Sequence, residues 1–404
     1  MRSAVKSLKN LVFFVPENHM VIGGLEMLVI NLATEISSQD GESQVLVICS
    51  KQSFVAEQLG HLAGNRLRLS FWSENIPEIH PESLLVCWGG YGTLARLRHS
   101  NPRLLVWCIM QGAPFAHFER VPRAFNWLKP RLKKSCRQTL RFLSEHDGIA
   151  FMDKPNHLDV QQRYGVDVKP VYLPIPVPVG SNAFLQRPIN QPSPPPLRIS
   201  WIGRGGVDLK AVPLVRLLET AHLPEKTLHL TIFTDKPDSY EQLLSGRDVA
   251  RRVNITFKTG VFGVDLRKQL ASDFDINFGM GTAVLEGASQ GIPSVCVDPQ
   301  GDFERLVAWQ WLHERQEYDL GHFDAANEFR QPFDFKALDN DRGQLRRLSS
   351  AAFDYVSRNH SLKTIAGQLS TSPSSARLHD YLKAHGILFK FVYALKHGFQ
   401  RLKK

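Results

Sequence analysis

Long apolar runs are missing from this chain. Nothing in its 404 residues approaches the roughly 18 consecutive apolar residues of a membrane-spanning helix, and the apolar stretch at 11–15 is too short for a signal-peptide core. Cysteine is scarce: Cys49, Cys87, Cys108, Cys136 and Cys296 form an odd, scattered set without CxxC spacing, which argues against a disulfide framework and points to reduced thiols in a cytoplasmic compartment. Neither half carries GxGxxG followed by an acidic residue at the dinucleotide distance, so a nicotinamide enzyme is not expected. Helix-turn-helix, zinc-finger and RNA-binding aromatic signatures are also missing, so nucleic acid is not an expected partner. Negative charge is missing locally: between Glu119 and Glu145 there is no acidic residue.

What is present fits a two-domain α/β enzyme. Hydrophobic residues make up 43% and charged residues 22% of the chain, enough for packed cores, and its length exceeds one hydrophobic core. The net charge of +10 favours acidic partners. Eight prolines fall between 174 and 197, namely Pro174, Pro176, Pro178, Pro188, Pro192, Pro194, Pro195 and Pro196, too many for a helix or central strand. This stretch is read as a linker between a domain at 1–173 and a second at 198–370, with a basic helical tail at 371–404. Short apolar runs at 11–15, 44–49, 84–88, 104–109 and 148–152 alternate with helical patterns at 25–37, 91–98 and 156–164. After the linker, strands are expected at 198–202, 228–233, 254–257, 274–278 and 294–297. The alternation predicts two parallel sheets covered by helices.

The most informative segment is DFDINFGMGTAVLEGASQGIPSVCVD, residues 273–298, which reads as buried strand, glycine turn, helix and second buried strand. Gly279 and Gly281 let the backbone turn sharply. Thr282 is the expected N-cap, and the free N–H groups of a helix start favour a phosphate. Glu286 lies one turn inside, where a carboxylate can accept hydrogen bonds from the paired hydroxyls of a ribose. An ordinary βαβ unit, with Glu286 only complementing the helix dipole, explains the same residues. A second segment, ISWIGRGGVDLK at 199–210, places Gly203 at a turn after a strand, Arg204 where its fork can grip phosphate oxygens, and Lys210 at the start of the next helix. Near the N-terminus, Gly23-Gly24-Leu25-Glu26 follows the first strand.

Together these segments resemble the retaining nucleotide-sugar glycosyltransferases of family four (glycosyl transferases group 1). That resemblance implies a GT-B fold, α/β with two Rossmann-like doubly wound domains facing a cleft. Leu285-Glu286 and Gly291-Ile292-Pro293 match the donor motif in place; the resemblance assigns donor binding to Gly23, Gly24, Gly203, Arg204, Lys210, Met280, Gly281, Thr282 and Glu286, with Arg204 and Lys210 clamping the diphosphate. In the family a first glutamate eight positions before the second contacts the transferred sugar. Here that position is Phe278, and the loop before the helix is shorter than usual. The Arg-to-Lys gap is one residue longer than the commonest spacing. Residues 151–177 and 352–369 resemble the exit of the family's first domain and the terminal helices that return to it.

Other candidates frame the reaction. Asp273 and Asp275 have the spacing of a metal-binding DxD, but they precede a buried strand, and no metal or other cofactor is expected beyond the nucleotide sugar as co-substrate. His117, in a loop after the strand at 104–109, is a candidate proton carrier near an acceptor hydroxyl, with Gln111 where relatives carry histidine. The retaining reaction as usually drawn needs no protein nucleophile, so catalysis is assigned to Arg204 and Lys210. Lys129, Arg131, Lys133 and Lys134 stand among aromatic residues in the acid-free stretch, and a second basic segment covers 387–404. Both suit an anionic membrane surface. The sequence thus predicts a peripheral enzyme on the inner face of the cytoplasmic membrane. It would move a sugar to a glycan or glycolipid acceptor in lipopolysaccharide or other surface-glycan synthesis. The alternative is a catalytically silent partner subunit of the same fold.

Overall fold

The structure, a computed structural model, describes residues 10–15, 23–39, 43–74, 76–88, 94–110, 112–115, 127–187, 195–203, 210–224, 228–299, 306–322 and 331–384. The chain forms two compact units, Met1–Pro176 with Leu362–Lys404 and Val177–Ser361. The chain leaves the first unit at Pro176 and returns to it at Leu362.

The first unit holds strands β1 (Leu11–Phe14), β2 (Val45–Cys49), β3 (Leu67–Phe71), β4 (Leu84–Cys87), β5 (Arg103–Cys108) and β6 (Ile149–Phe151) in the order β3-β2-β1-β4-β5-β6. Every adjacent pair is parallel. A parallel sheet is covered on both faces, so its central strands are apolar at every position. β1 is LVFF with all four residues buried, Val12 and Phe14 facing one apolar cluster, Leu11 and Phe13 the other. Helices α1 (Gly24–Ser38), α2 (Phe54–Gly60), α3 (Lys129–Glu145) and α4 (Lys154–Tyr164) connect the strands. α4 begins on an Asp153 cap that accepts from Asn156 N and ends on left-handed Gly165.

The second unit repeats the plan. Strands β7 (Arg198–Ile202), β8 (Leu228–Phe233), β9 (Val253–Lys258), β10 (Ile276–Gly279), β11 (Ser294–Val297) and β12 (Trp309–Trp311) run in the order β12-β11-β10-β7-β8-β9. All pairs are parallel except β11 with β12. Helices α5 (Val212–Thr220), α6 (Pro237–Leu244), α7 (Val249–Arg252), α8 (Gly263–Asp273), α9 (Thr282–Ala288), α10 (Phe335–Asn340) and α11 (Arg342–Asn359) belong to this unit. After it, α12 (Leu362–Ser370) packs on α1, and α13 (Leu378–Ala384) packs on α3. Both sheets have the strand order of a Rossmann fold, in which the order reverses between the first and fourth strands.

Several local expectations change. β3 and β12 lie at sheet edges and are not continuous apolar runs, LRLSF and WQW, so neither stands out as a buried strand. The helix expected over 91–98 is a short 3-10 turn at Ala95–Leu97 within the described part. The strand expected at 274–278 begins at Ile276, because Asp275 is engaged elsewhere. The proline-rich stretch is packed as far as residue 187: Val177 N donates to His360 O (2.8 Å), Gly180 N to Ser289 O (3.1 Å), and Phe184 is buried.

Arg187 closes this packed stretch by donating to Phe274 O and Ala271 O, both at 2.7 Å. Beside it Asp275, at the N-terminal end of β10, gathers three arginines. Its Oδ2 accepts from Arg198 N (2.9 Å) and lies 3.6 Å from Arg342 Nη1, while Oδ1 lies 3.4 Å from Arg187 Nη1. Removing Asp275 leaves Arg187 with its two carbonyls and Arg342 with Asp339, so the loss is that of partly shielded charge-assisted hydrogen bonds, about 1.5–3 kcal/mol. Asp275→Ala is therefore expected to lower the thermal unfolding midpoint by roughly 3–12 °C. Unchanged melting by calorimetry would show that the cluster is only a solvated surface pairing.

Candidate functional site

The described donor residues of the second unit converge on one place, the switch point between β7 and β10. At the end of β7, Gly203 N donates to Phe233 O (3.0 Å). A side chain at Gly203 would have its Cβ 2.5 Å from Tyr240 Oη and 2.7 Å from Trp201 Nε1. Tyr240 accepts from Trp201 Nε1 (3.1 Å) and donates to Gly203 O (3.4 Å), and burial pushes its hydroxyl up to about 12. Arg204 lies outside the described residues, as does His117. Lys210 is described: its Nζ donates to Met280 O at 3.4 Å. Lys210 is thereby tied to the turn after β10.

The turn itself is two residues long, Met280-Gly281. Gly281, not Thr282, is the N-cap of α9, with φ 62° and ψ −139°, and Thr282 is the first helical residue. A positive φ of this kind is costly for a residue with a Cβ, which places the cap one position earlier than the side-chain logic of threonine suggests. Gly281 N donates to Leu320 O (2.7 Å). The segment that supplies Leu320 is fixed by Asp319, whose Oδ1 accepts from Gly321 N (3.1 Å) and His322 N (2.9 Å) and whose Oδ2 pairs with Arg315. Nothing in the sequence marks this buttress.

Phe278 corrects the register of the motif. It is a strand residue, 1% exposed, with its ring 4.9 Å from Phe333 and 5.6 Å from Phe335. Counting eight positions back from Glu286 therefore lands in the core, because the short turn leaves no loop position there.

Helix α9 is held to the sheet by one buried amide. Asn277 Oδ1 accepts from Ser200 Oγ (2.9 Å), and its Nδ2 donates to Ala283 O (3.1 Å). Gly287 meets this side chain directly: a Cβ there would lie 2.5 Å from Asn277 Cβ. The helix approaches β10 this closely only because residue 287 has no side chain.

Glu286 reaches the solvent side of α9 with 17% of its side chain exposed. Burial pushes its carboxyl above the usual carboxylate range, and the Arg267 guanidinium opposes that shift. Arg267 Nη1 lies 3.4 Å from Oε2. Oε1 has no hydrogen-bond partner among the described residues. Arg267, on α8, is a residue that motif reasoning missed, since it lies 19 positions earlier in the chain and belongs to no pattern.

The remaining expected residues lie in the first unit. Gly23 is the N-cap of α1 and Gly24 its first residue, following β1, which pairs with β4 at that unit's own switch point. On α3 the side chains of Lys129, Arg131, Lys133 and Lys134 are exposed and Leu132, Cys136, Leu140 and Leu143 are buried. Trp127, just before the helix, is 61% exposed. The basic segment at 387–404 lies outside the described residues, of which no helix is long and apolar enough to cross a membrane. Asp273 ends α8 and accepts from Ser272 Oγ (2.7 Å), while Asp275 faces its arginines at the opposite end of β10 from the turn. All five thiols are buried, and burial pushes Cys49 to about 11 and Cys296 to about 12, which removes these two as thiolate nucleophiles at neutral pH.

No family model matches the sequence, and no curated protein matches it. The fold is similar to that of several solved structures. A glycosyltransferase from Rickettsia africae shares 12% identity over 94% of this chain and 100% of that one, with a TM-score of 0.56. TarM shares 10% over 91% and 99%, with a TM-score of 0.54. HepE of Anabaena, in complex with UDP and glucose, shares 13% over 90% and 98%, with a TM-score of 0.53. At these identities the likeness is one of fold: two Rossmann-like domains of the GT-B type, spanning nearly the whole of each protein.

The Asn277 contact makes a testable demand. Gly287→Ala overpacks the seat of α9 and is expected to cost about 1–3 kcal/mol, seen as a lower midpoint in urea. Wild-type stability would mean that α9 slides on the sheet without cost.

Proposed function

We propose that this chain is a retaining glycosyltransferase of family-four type, taking a sugar from a nucleoside diphosphate to a glycan or glycolipid acceptor in surface-polysaccharide synthesis. The observation that carries the reading is the Lys210–Met280 contact. It joins Lys210 of one motif to the turn of the other, at the switch point where open α/β sheets take their ligands, with the Glu286 carboxylate one helical turn away. The solved relative with UDP and glucose supports the same class of donor.

In the proposed reaction the bond from the anomeric carbon to the diphosphate oxygen breaks, the acceptor oxygen attacks on the same face, and its proton passes to the leaving diphosphate. Arg204 and Lys210 neutralise the charge that develops on the diphosphate, a role that needs no metal ion, and Glu286 accepts from the ribose hydroxyls. The glycine pair Gly23-Gly24 is assigned to the donor side of the first unit, and His117 to the acceptor side, as the alternative to the diphosphate for taking that one proton. A second reading, a nucleotide-binding subunit without turnover, is favoured by Phe278 and by a turn, Met280-Gly281, that carries no carboxylate for the sugar.

Purified protein incubated with a panel of nucleotide sugars is expected to release nucleoside diphosphate faster when membrane glycolipid is added, with no change on adding a chelator. Lys210→Ala should lower kcat by about 10²–10³ with a smaller rise in KM. A pure KM effect would assign Lys210 to ground-state binding, and nucleotide binding without turnover on any donor would favour the silent subunit.

The exposed face of α3 is assigned to an anionic membrane surface on the cytoplasmic side, because Trp127 stands exposed beside four cations on one helix. Each such charge contributes about 1 kcal/mol near the membrane. The protein should pellet with anionic but not zwitterionic vesicles and be released by salt. Changing Lys129, Arg131, Lys133 and Lys134 together to Ser should lower that binding. Equal pelleting with neutral vesicles would assign the face to another partner.

A further inference from the structure

We propose that Arg267 is a positioning residue for the nucleotide: it holds Glu286 Oε2 so that Oε1 is presented, ionised, to the two hydroxyls of a ribose. The inference rests on the donor-site reading of Glu286 and adds a residue on a different helix to it.

The geometry is specific. Arg267 sits near the start of α8 and Glu286 on the second turn of α9, two helices that pack together in the second unit. Their side chains are 14% and 17% exposed. Glu286 is the one hydrogen-bonding partner of the Arg267 side chain among the described residues, through Nη1 to Oε2 at 3.4 Å. A guanidinium carries five donors, so a contact of this length through one of them does not saturate it, and the arginine is not fixed by any competing carbonyl. The other half of the pair is equally incomplete. Oε1 of Glu286 has no partner among the described residues and is not a buried atom, so it stands open to a ligand.

A shielded carboxylate with one oxygen held by a cation and one oxygen open is suited to a vicinal diol, whose two O–H groups both donate. Only the ionised carboxylate accepts both. Burial works against ionisation here, and Arg267 is the charged group that opposes it. Among the described residues, the other elements packed against α9 supply no further charge at this carboxylate: β10 and β11 present apolar side chains, Asn277 and Ser294, and the α11 side chains that meet it are Ala352, Tyr355 and Val356. Without Arg267 the carboxyl would hold its proton to higher pH, and one of the two diol contacts would be lost wherever it is protonated.

The test is calorimetric binding of UDP, GDP, ADP and CDP between pH 5.5 and 8.5, following the tightest of the four. Phosphate ionisation is common to every variant and cancels in the comparison. Arg267→Gln is expected to weaken binding about fivefold at neutral pH and to move upward the pH at which affinity falls. Arg267→Lys should restore most of the affinity and the parent pH profile. In a Glu286→Gln background, Arg267→Gln should have no further effect. An unchanged profile in Arg267→Gln overturns the inference while leaving the donor site intact. Additive losses in the double variant also overturn it, by showing that Arg267 meets the nucleotide itself. If the parent protein binds none of the four diphosphates, the donor-site reading falls, and the role of Arg267 falls with it.

Discussion

One buried amide sets the geometry of the candidate site. Asn277 belongs to β10, accepts from Ser200 on β7 and donates to Ala283 in α9, so a single side chain fixes three elements at the switch point. Buried polar groups of this kind are costly unless every partner is present. When satisfied, they leave the helix one seat on the sheet. The glycine at 287 is the complement of that amide, and the distance from Glu286 to Arg267 is in turn set by where α9 comes to rest.

The fold was legible because parallel strands buried on both faces are written as uninterrupted apolar runs. LVFF, LLVC and SVCV could be read without any partner in view. Two edges, β3 and β12, were not, because a strand with one neighbour needs less apolar surface, whereas the edges β6 and β9 were read from the runs at 148–152 and 254–257. LRLSF carries an arginine and a serine, and WQW is too short to show a period. At the site, the residues that follow strands within one motif were legible: Gly203, Lys210, Gly281 and Glu286 fall where strand, turn and helix order puts them. Those joined only by packing were not. Arg267 meets Glu286 from another helix, and Leu320 meets Gly281 from a loop some forty residues on, as no local pattern announces.

The two units use the same sheet differently. In the second, Lys210 at the start of the helix after β7 meets the turn after β10 at Met280. In the first, the glycines that open α1 stand alone, and the conspicuous feature is instead the outer face of α3, where apolar residues fold inward and cations remain outside. Arg137 departs from that pattern by turning back to donate to Tyr164 O, so the basic character of the helix serves both packing and surface.

The brevity of the turn between β10 and α9 has a consequence for how such a site can change. A glutamate substituted at 278 would enter the ring cluster of Phe333 and Phe335, where a charge has no solvent and no partner. Residues added between Gly279 and Thr282 would require the Gly281–Leu320 bond to be rebuilt around them. A change at this turn is therefore one of chain length, because every residue of β10 is buried.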